Sequence, residues 1–311
     1  MKNVDLKDME KFKGVIVPMI TPFTKELDID QEATRRIVDN LVKNDCAVFI
    51  LGTTGEALSV SHQKKYDLAK AAVRSANGRK IVYAGISGNC FDESVENAKR
   101  FQEMGVDAVV AHLPAFYPLS GDHMLHYFEA LADAVPLPLI LYNMPATTHH
   151  SLSIEIIDQL SHHDNIIGLK DSERGEERLD KSLEKWKDRE DFVFHLGWAA
   201  KSSYGVRNGL DGIVPSTGNL VPGLYSELFS AAKRNDFSKA EELQEITNEI
   251  SSYYQAGNLL SEAIPRLKGM MKTFGLCTNK VEFPMIQISD ELQEKIDTEV
   301  LQKYSKYNTS K

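Results

Sequence analysis

The 311-residue sequence predicts a (β/α)8 (TIM) barrel followed by a C-terminal helical extension. Three observations predict it. Short apolar segments alternate with amphipathic ones eight times, in units of roughly 25–30 residues, the length of a strand–helix repeat. The strand-like segments are rich in Val and Ile and lack a polar face, as parallel strands buried on both sides require. The turn after the first of them reads Pro18-Met19-Ile20-Thr21-Pro22, where a doubly wound open sheet would place a Gly-rich phosphate turn.

In chain order, Gly14–Pro18 reads as a strand and Asp30–Asn44 as its helix. Ala47–Leu51 leads to Ser61–Ser75, and Ile81–Gly85 to Asp92–Met104, which Gly105 stops. Ala108–His112 leads to Gly121–Ala134. Leu137–Asn143 leads to Ser153–Leu160, with Ser153 as N-cap and Glu155 in the first turn. Ile166–Lys170 precedes Glu176–Trp186, Phe192–Leu196 precedes Ala199–Asn208, and Gly212–Val214 precedes Val221–Lys233. The barrel thus spans residues 1–235. Residues 236–311 read as a helical subdomain packed on it, in the pieces Phe237–Tyr254, Ser261–Phe274 and Asp290–Tyr304, with no Ser/Gly-rich linker between. The tail Ser305–Lys311 is expected to fray.

Hydrophobic content of 42% and charged content of 26% support a full core. A net charge of −9, with no stripe of Lys or Arg, argues against nucleic acid as a partner. The cysteines Cys46, Cys90 and Cys277 form no CxxC pair, which argues against a disulfide framework or zinc knuckle and fits a reducing cytoplasm. Met1–Lys13 is charged throughout, unlike a signal peptide. No window approaches the run of about 18 apolar residues that spans a bilayer. The expectation is a cytoplasmic enzyme acting on a small molecule, with no membrane partner.

In such a barrel the C-terminal strand ends share one face, so their polar groups converge. Lys170 ends the apolar run Ile166-Ile167-Gly168-Leu169. A half-desolvated lysine there loses ammonium character and can attack a ketone as a free amine. Strand two ends in Gly52-Thr53-Thr54-Gly55-Glu56, whose hydroxyls and backbone N–H groups suit a carboxylate. Strand five ends in Tyr142, a phenol able to relay protons. His112 and the pair His149-His150 raise a metal-dependent aldolase as a rival. Adjacent histidines on an extended segment point to opposite sides, so no metal is expected. His162-His163 reads as solvated.

Gly52-Thr53-Thr54-Gly55-Glu56, Tyr142-Asn143-Met144-Pro145 and Gly168-Leu169-Lys170-Asp171 resemble, in order and spacing, three signature motifs of the dihydrodipicolinate synthase / N-acetylneuraminate lyase superfamily. The resemblance runs from about Gly14 through the C-terminal helices. It implies a class I, Schiff-base lyase or aldolase acting on a 2-keto acid, with no cofactor beyond a covalent imine at Lys170. Tyr142 would pass protons, Thr53 and Thr54 would hold the carboxylate, and Thr54 would join the hydroxyl relay. The Val214 backbone would lie against the bound keto acid. Relatives also imply a homotetramer built as a dimer of dimers.

Members that make dihydrodipicolinate carry an arginine two residues after the proline of the tyrosine motif, to hold the aldehyde's carboxylate. Thr147 stands there and cannot make that bidentate contact. Sialic acid lyases carry an acidic pair after the strand-seven glycine, where this chain reads Gly197-Trp198-Ala199-Ala200. Pro145-Ala146-Thr147-Thr148 looks more like relatives acting on 2-keto-3-deoxy sugar acids. The first expectation is therefore reversible aldol cleavage of such a sugar acid to pyruvate and an aldehyde, with Thr147 and Trp198 in the second-substrate pocket. The alternatives are 4-hydroxy-tetrahydrodipicolinate synthase and a dehydratase of the same superfamily. A family tyrosine that reaches a neighbouring subunit's site aligns with Phe116, and Tyr117 could replace it only if the loop shifts by one. A non-catalytic, ligand-sensing barrel would be favoured by loss of Lys170 or Tyr142, and both are present.

Overall fold

The computed structural model describes residues 4–308. Strands β1 (Gly14–Pro18), β2 (Ala47–Ile50), β3 (Val82–Gly85), β4 (Ala108–Ala111), β5 (Leu139–Asn143), β6 (Ile166–Asp171), β7 (Val193–Leu196) and β8 (Gly212–Ile213) close into a parallel barrel in sequence order. β8 pairs back to β1 through Gly14↔Gly212 and Val15↔Ile213. The surrounding helices are α1 (Gln31–Lys43), α2 (His62–Ala76), α3 (Phe91–Met104), α4 (Gly121–Ala134), α5 (Pro145–Thr148), α6 (Ile154–Leu160), α7 (Glu176–Trp186), α8 (Ser202–Arg207) and α9 (Pro222–Lys233). Three more follow: α10 (Phe237–Gln255), α11 (Leu260–Thr273) and α12 (Asp290–Tyr304).

Local chemistry sets the boundaries. Asp30, Ser61, Ser120, Ser153 and Ser289 cap α1, α2, α4, α6 and α12 by accepting a first-turn backbone N–H. Gly105 ends α3 at φ 89°, a conformation that costs glycine little. β5 begins at Leu139 rather than at the expected Leu137, because Pro138 has no N–H for a ladder. The helix expected over Ala199–Asn208 opens as a 3-10 turn, Ala199–Lys201, before α8. The short α5 was not expected; Pro145 at its first position favours the turn.

Alternate strand residues divide the core into two layers. Ile16, Phe49, Tyr83, Val110, Ile140 and Val193 fill the barrel interior. Val17, Val48, Ile50, Val109, Leu139 and Leu141 face the helices. The same outer cluster continues into α10, α11 and α12 through Leu243, Ile250, Leu267, Met270, Ile296 and Val300. Ser305–Tyr307, expected to fray, forms a 3-10 turn, and residues 309–311 of that tail lie outside the described residues. Among the described residues no helix is long and apolar enough to cross a membrane.

The N-terminal segment has a structural task that its charge conceals. Leu6–Phe12 forms a 3-10 helix whose Met9 and Phe12 are buried in the interior cluster. The Phe12 carbonyl accepts from Tyr83 Oη (3.0 Å) and His195 Nε2 (2.9 Å), closing the N-terminal end of the barrel. Burial pushes the His195 pKa down to about 4 from 6.5. Its folded pKa lies below the unfolded one, so this contribution is intact above pH 6.5 and lost as pH falls towards 4. Over that window the wild type should lose roughly 3 kcal/mol more than His195→Gln. Urea melts of both proteins across the range check this, and equal losses would acquit His195.

Candidate active site

The ladder between β5 and β6 pairs Tyr142 directly with Lys170 at their carboxyl ends. Gly168 lies two residues before Lys170 on the same face. A Cβ there would sit 2.5 Å from Val193 Cγ2 and 2.6 Å from the Val193 carbonyl, so glycine lets β7 close beneath the lysine. Lys170 is only 6% exposed. Its Nζ lies 3.5 Å from the Tyr142 ring centroid and 5.2 Å from that of Phe49. Burial lowers the Lys170 pKa, with Tyr142 opposing the shift. For Tyr142, burial pushes upward but is outweighed by Lys170 and by hydrogen bonds with Lys170, Thr53 and Ser172, leaving it below its ordinary value. The Tyr142 hydroxyl stands 3.1 Å from Thr53 Oγ1. Burial thus favours the free amine, and the phenol beside it gains acidity when that amine is charged.

The Thr53-Thr54 turn is strained and tightly restrained. Leu51 and Glu56, which flank it, both have φ of 58°, each costing about 1–3 kcal/mol for such residues. Inside the turn Gly55 N–H donates to Gly52 O (3.0 Å) and Glu56 N–H to Thr53 O (3.1 Å). From outside, Thr21 Oγ1 donates to Gly55 O at 2.6 Å. The Glu56 carboxylate turns inward to an ion pair with Lys268 of α11, both side chains fully buried. Lys268 also donates to Lys280 O (2.6 Å), and Glu56 Oε2 accepts the Glu282 N–H (2.8 Å). Burial raises the Glu56 pKa and lowers that of Lys268, their mutual attraction opposing both shifts.

Sequence reasoning missed this pair. A signal existed, because Lys268 falls four residues after Ile264 and three before Met271, on the apolar stripe of α11. A second network, also missed, braces the loop after Lys170. Asn143 Nδ2 donates to Asp171 Oδ1 and Glu173 Oε2, both at 2.9 Å, while Arg178 Nε donates to Asp171 Oδ2 at 2.8 Å.

Lys170, Tyr142, Thr53, Thr54, Val214 and Trp198 all line one cavity of about 550 Å³. Thr147 does not. Its Oγ1 donates to Met144 O at 3.3 Å within α5, and it lines a neighbouring cavity of about 320 Å³ with His112 and Leu58. The helical turn begun by Pro145 places it in that second cavity, which shares Thr53, Tyr142, Leu260 and Ile264 with the first, while Trp198 lines the first alone. Phe116 and Tyr117 are 75% and 71% exposed, stacked edge-on at 4.9 Å, and neither lines the Lys170 cavity of its own chain. The histidines lie apart in separate contacts: His112 Nδ1 is 2.8 Å from Leu113 O, His150 Nε2 is 3.0 Å from Tyr117 O, and His149 is exposed. Among the described residues no three His, Cys, Asp or Glu side chains converge as metal ligands.

Fold and rim together define a (β/α)8 enzyme whose buried lysine, phenol and hydroxyl turn face one cleft at the carboxyl ends of the strands. The chain belongs to the Dihydrodipicolinate synthetase family, whose model matches residues 11–303, and is accordingly a lyase of carbon–carbon or carbon–oxygen bonds. It is 30% identical to the 4-hydroxy-tetrahydrodipicolinate synthase of Alkalilimnicola ehrlichii over 286 residues, 92% of this chain and 96% of that one. The structure of dihydrodipicolinate synthase from Bacteroides thetaiotaomicron superposes with a TM-score of 0.87 at 31% identity, covering 93% of this chain and 98% of that one. YagE, a prophage protein of E. coli K12 in the dihydrodipicolinic acid synthase family, solved in complex with pyruvate, also gives 0.87, at 26% identity and 94% and 98% coverage. These names favour the synthase, placed second in the sequence analysis, over the sugar-acid aldolase placed first.

Removing one partner of a buried ion pair costs about 3–5 kcal/mol, because the other charge is stranded. Lys268→Met should lose that much in urea unfolding, and Glu56→Gln combined with Lys268→Met should recover most of it. A single variant as stable as the wild type would show the pair to be dispensable.

Proposed function

We propose that the protein is a Schiff-base lyase that carries pyruvate as an imine on Lys170 and joins it to, or releases it from, an aldehyde. One observation carries this reading: a buried amine with a lowered pKa lies against a phenol that is itself hydrogen-bonded to the Thr53 hydroxyl. The free amine adds to the keto carbon and gives a carbinolamine. Tyr142, with the Thr53 hydroxyl rather than the expected Thr54 as its relay partner, protonates the departing hydroxyl, and loss of water leaves the iminium. Proton removal from the pyruvate methyl gives an enamine whose carbon attacks the aldehyde, and water then releases the product from Lys170. Run backwards, the same steps cleave the bond. Thr53 and Thr54, with the turn's N–H groups, hold the pyruvate carboxylate, and the Val214 backbone, lining the same cavity, lies against the keto acid. The imine is itself the electron sink, so these steps call for no metal or organic cofactor.

For the aldehyde half, the relatives' names support a 4-hydroxy-tetrahydrodipicolinate synthase. Aldol cleavage of a 2-keto-3-deoxy sugar acid is the second reading. It is favoured by a hydroxyl-rich cavity wall, where Tyr254 Oη lies 2.8 Å from Ser216 Oγ and accepts from Gln255 Nε2 at 2.9 Å. A homotetramer, as a dimer of dimers, would cover the exposed aromatic pair Phe116 and Tyr117.

Borohydride added with pyruvate should leave a stable adduct on Lys170, and an unmodified lysine would end the proposal. Trapping should slow as pH falls through the lowered Lys170 pKa, since the ammonium cannot add to a ketone. Lys170→Ala should abolish turnover, whereas Tyr142→Phe should still trap but turn over roughly 10²–10⁴-fold more slowly. Unchanged turnover in Tyr142→Phe would remove the phenol from the mechanism.

A further inference from the structure

The Lys170 cavity is larger than pyruvate needs, within the range of about 300–1,000 Å³ typical of ligand clefts. Its wall carries few charges. Lys170 and Arg174 are its cationic lining residues and Glu173 its one carboxylate. Lys170 disfavours its charged form, and the positive iminium it would form lies next to the keto acid's own carboxylate. Glu173 is already engaged: its Oε2 accepts from Asn143 Nδ2 (2.9 Å) and Ser151 Oγ (2.6 Å) and lies 3.5 Å from Arg178 Nη1. Arg178 is engaged too, with Asp171 at 2.8 Å and the Leu152 carbonyl at 2.9 Å. Arg174, between them in sequence, makes no ion pair or side-chain hydrogen bond among the described residues. Exposed at the cleft's edge, Arg174 is the lining cation left without an ion-pair partner among the described residues.

From this we infer that Arg174 is a specificity-determining residue that binds a negatively charged group at the far end of the second substrate. The inference rests on the Schiff-base reading above and gives the aldehyde a chemical class, one bearing a terminal carboxylate or phosphate. It also answers the loss of charge at Thr147. The loop carrying Arg174 starts from Asp171, one residue beyond the lysine, and Asp171 is fixed by Asn143 and Arg178. A planar guanidinium suits both anions, since its paired N–H donors match two oxygens at once.

The test separates tail recognition from imine chemistry. Borohydride trapping on Lys170 is measured against concentration for pyruvate, for 2-oxohexanoate and for 2-oxoadipate, which adds a terminal carboxylate to the six-carbon chain. The wild type should trap 2-oxoadipate at roughly tenfold or more lower concentration than 2-oxohexanoate, as a charge-assisted contact implies. Arg174→Gln should erase that preference and Arg174→Lys should restore part of it, while pyruvate, which has no tail, is trapped alike by all three. Turnover of pyruvate with aspartate 4-semialdehyde, glyceraldehyde 3-phosphate and glyceraldehyde then identifies the anion. A fall in kcat/KM for Arg174→Gln with the carboxylate or with the phosphate names that source, and the neutral aldehyde should be unaffected. Equal 2-oxoadipate preference in wild type and Arg174→Gln would overturn the role of Arg174 and leave the imine intact. Absence of a pyruvate adduct in the wild type would instead remove the reading beneath it.

Discussion

The chemistry at this rim depends on keeping one amine out of water. Taking an ammonium from water into the barrel mouth costs several kcal/mol. The aromatic faces of Phe49 and Tyr142 return about 2 kcal/mol to the charged form through cation–π attraction. No carboxylate pairs with Lys170 among the described residues, so desolvation wins and the amine leans towards its reactive form. The barrel makes this possible by closing tightly. Gly168 lets β7 pass beneath the lysine, and the 3-10 helix at Phe12 seals the opposite end.

The carboxylate turn needs a different kind of support. Two left-handed residues of ordinary type, Leu51 and Glu56, would relax if the turn were free, and their combined strain is a few kcal/mol. The buried pair of Glu56 with Lys268 fixes one end of the turn, and the Thr21 hydroxyl fixes Gly55. α11 thereby serves the site twice. Ile264 and Leu267 line the cavity, and Lys268, on the same helix, anchors the turn that presents Thr53 and Thr54. The C-terminal helices are part of the site's framework rather than a passive cover.

What could be read from the sequence follows from what a repeating pattern determines. Alternation of short apolar and amphipathic segments gave the eight strands, and strand ends in a parallel barrel converge on one face. Lys170, Tyr142, Thr53 and Thr54 were therefore assigned to one cleft, Val214 was added by family resemblance alone, and all five line it. The misses have another origin. A strand pattern places a residue on its rung but does not say which way a loop turns afterwards. Pro145 winds the chain into α5, and Thr147 goes to a neighbouring cavity. A charged N-terminus hid the two apolar residues, Met9 and Phe12, that close the barrel. A helical lysine such as Lys268 reads as solvated until its stripe is compared with its neighbours.

The two halves of the cleft are built by different rules. The half around Lys170 comes from strand ends, where the ladder holds Tyr142 opposite Lys170 and a one-residue slip of either strand would turn its side chain off that face. The outer half comes from the loop between β6 and α7, the segment after β7, and the faces of α10 and α11. Loops tolerate substitution far better than ladders do. Substitution in the outer half therefore leaves undisturbed the rungs that hold Lys170 and Tyr142. On the inference drawn for Arg174, it and Thr147 are the form this takes here. A charge missing from one loop can be supplied from another, since both border the rim, and the exchange leaves the register of lysine and tyrosine untouched.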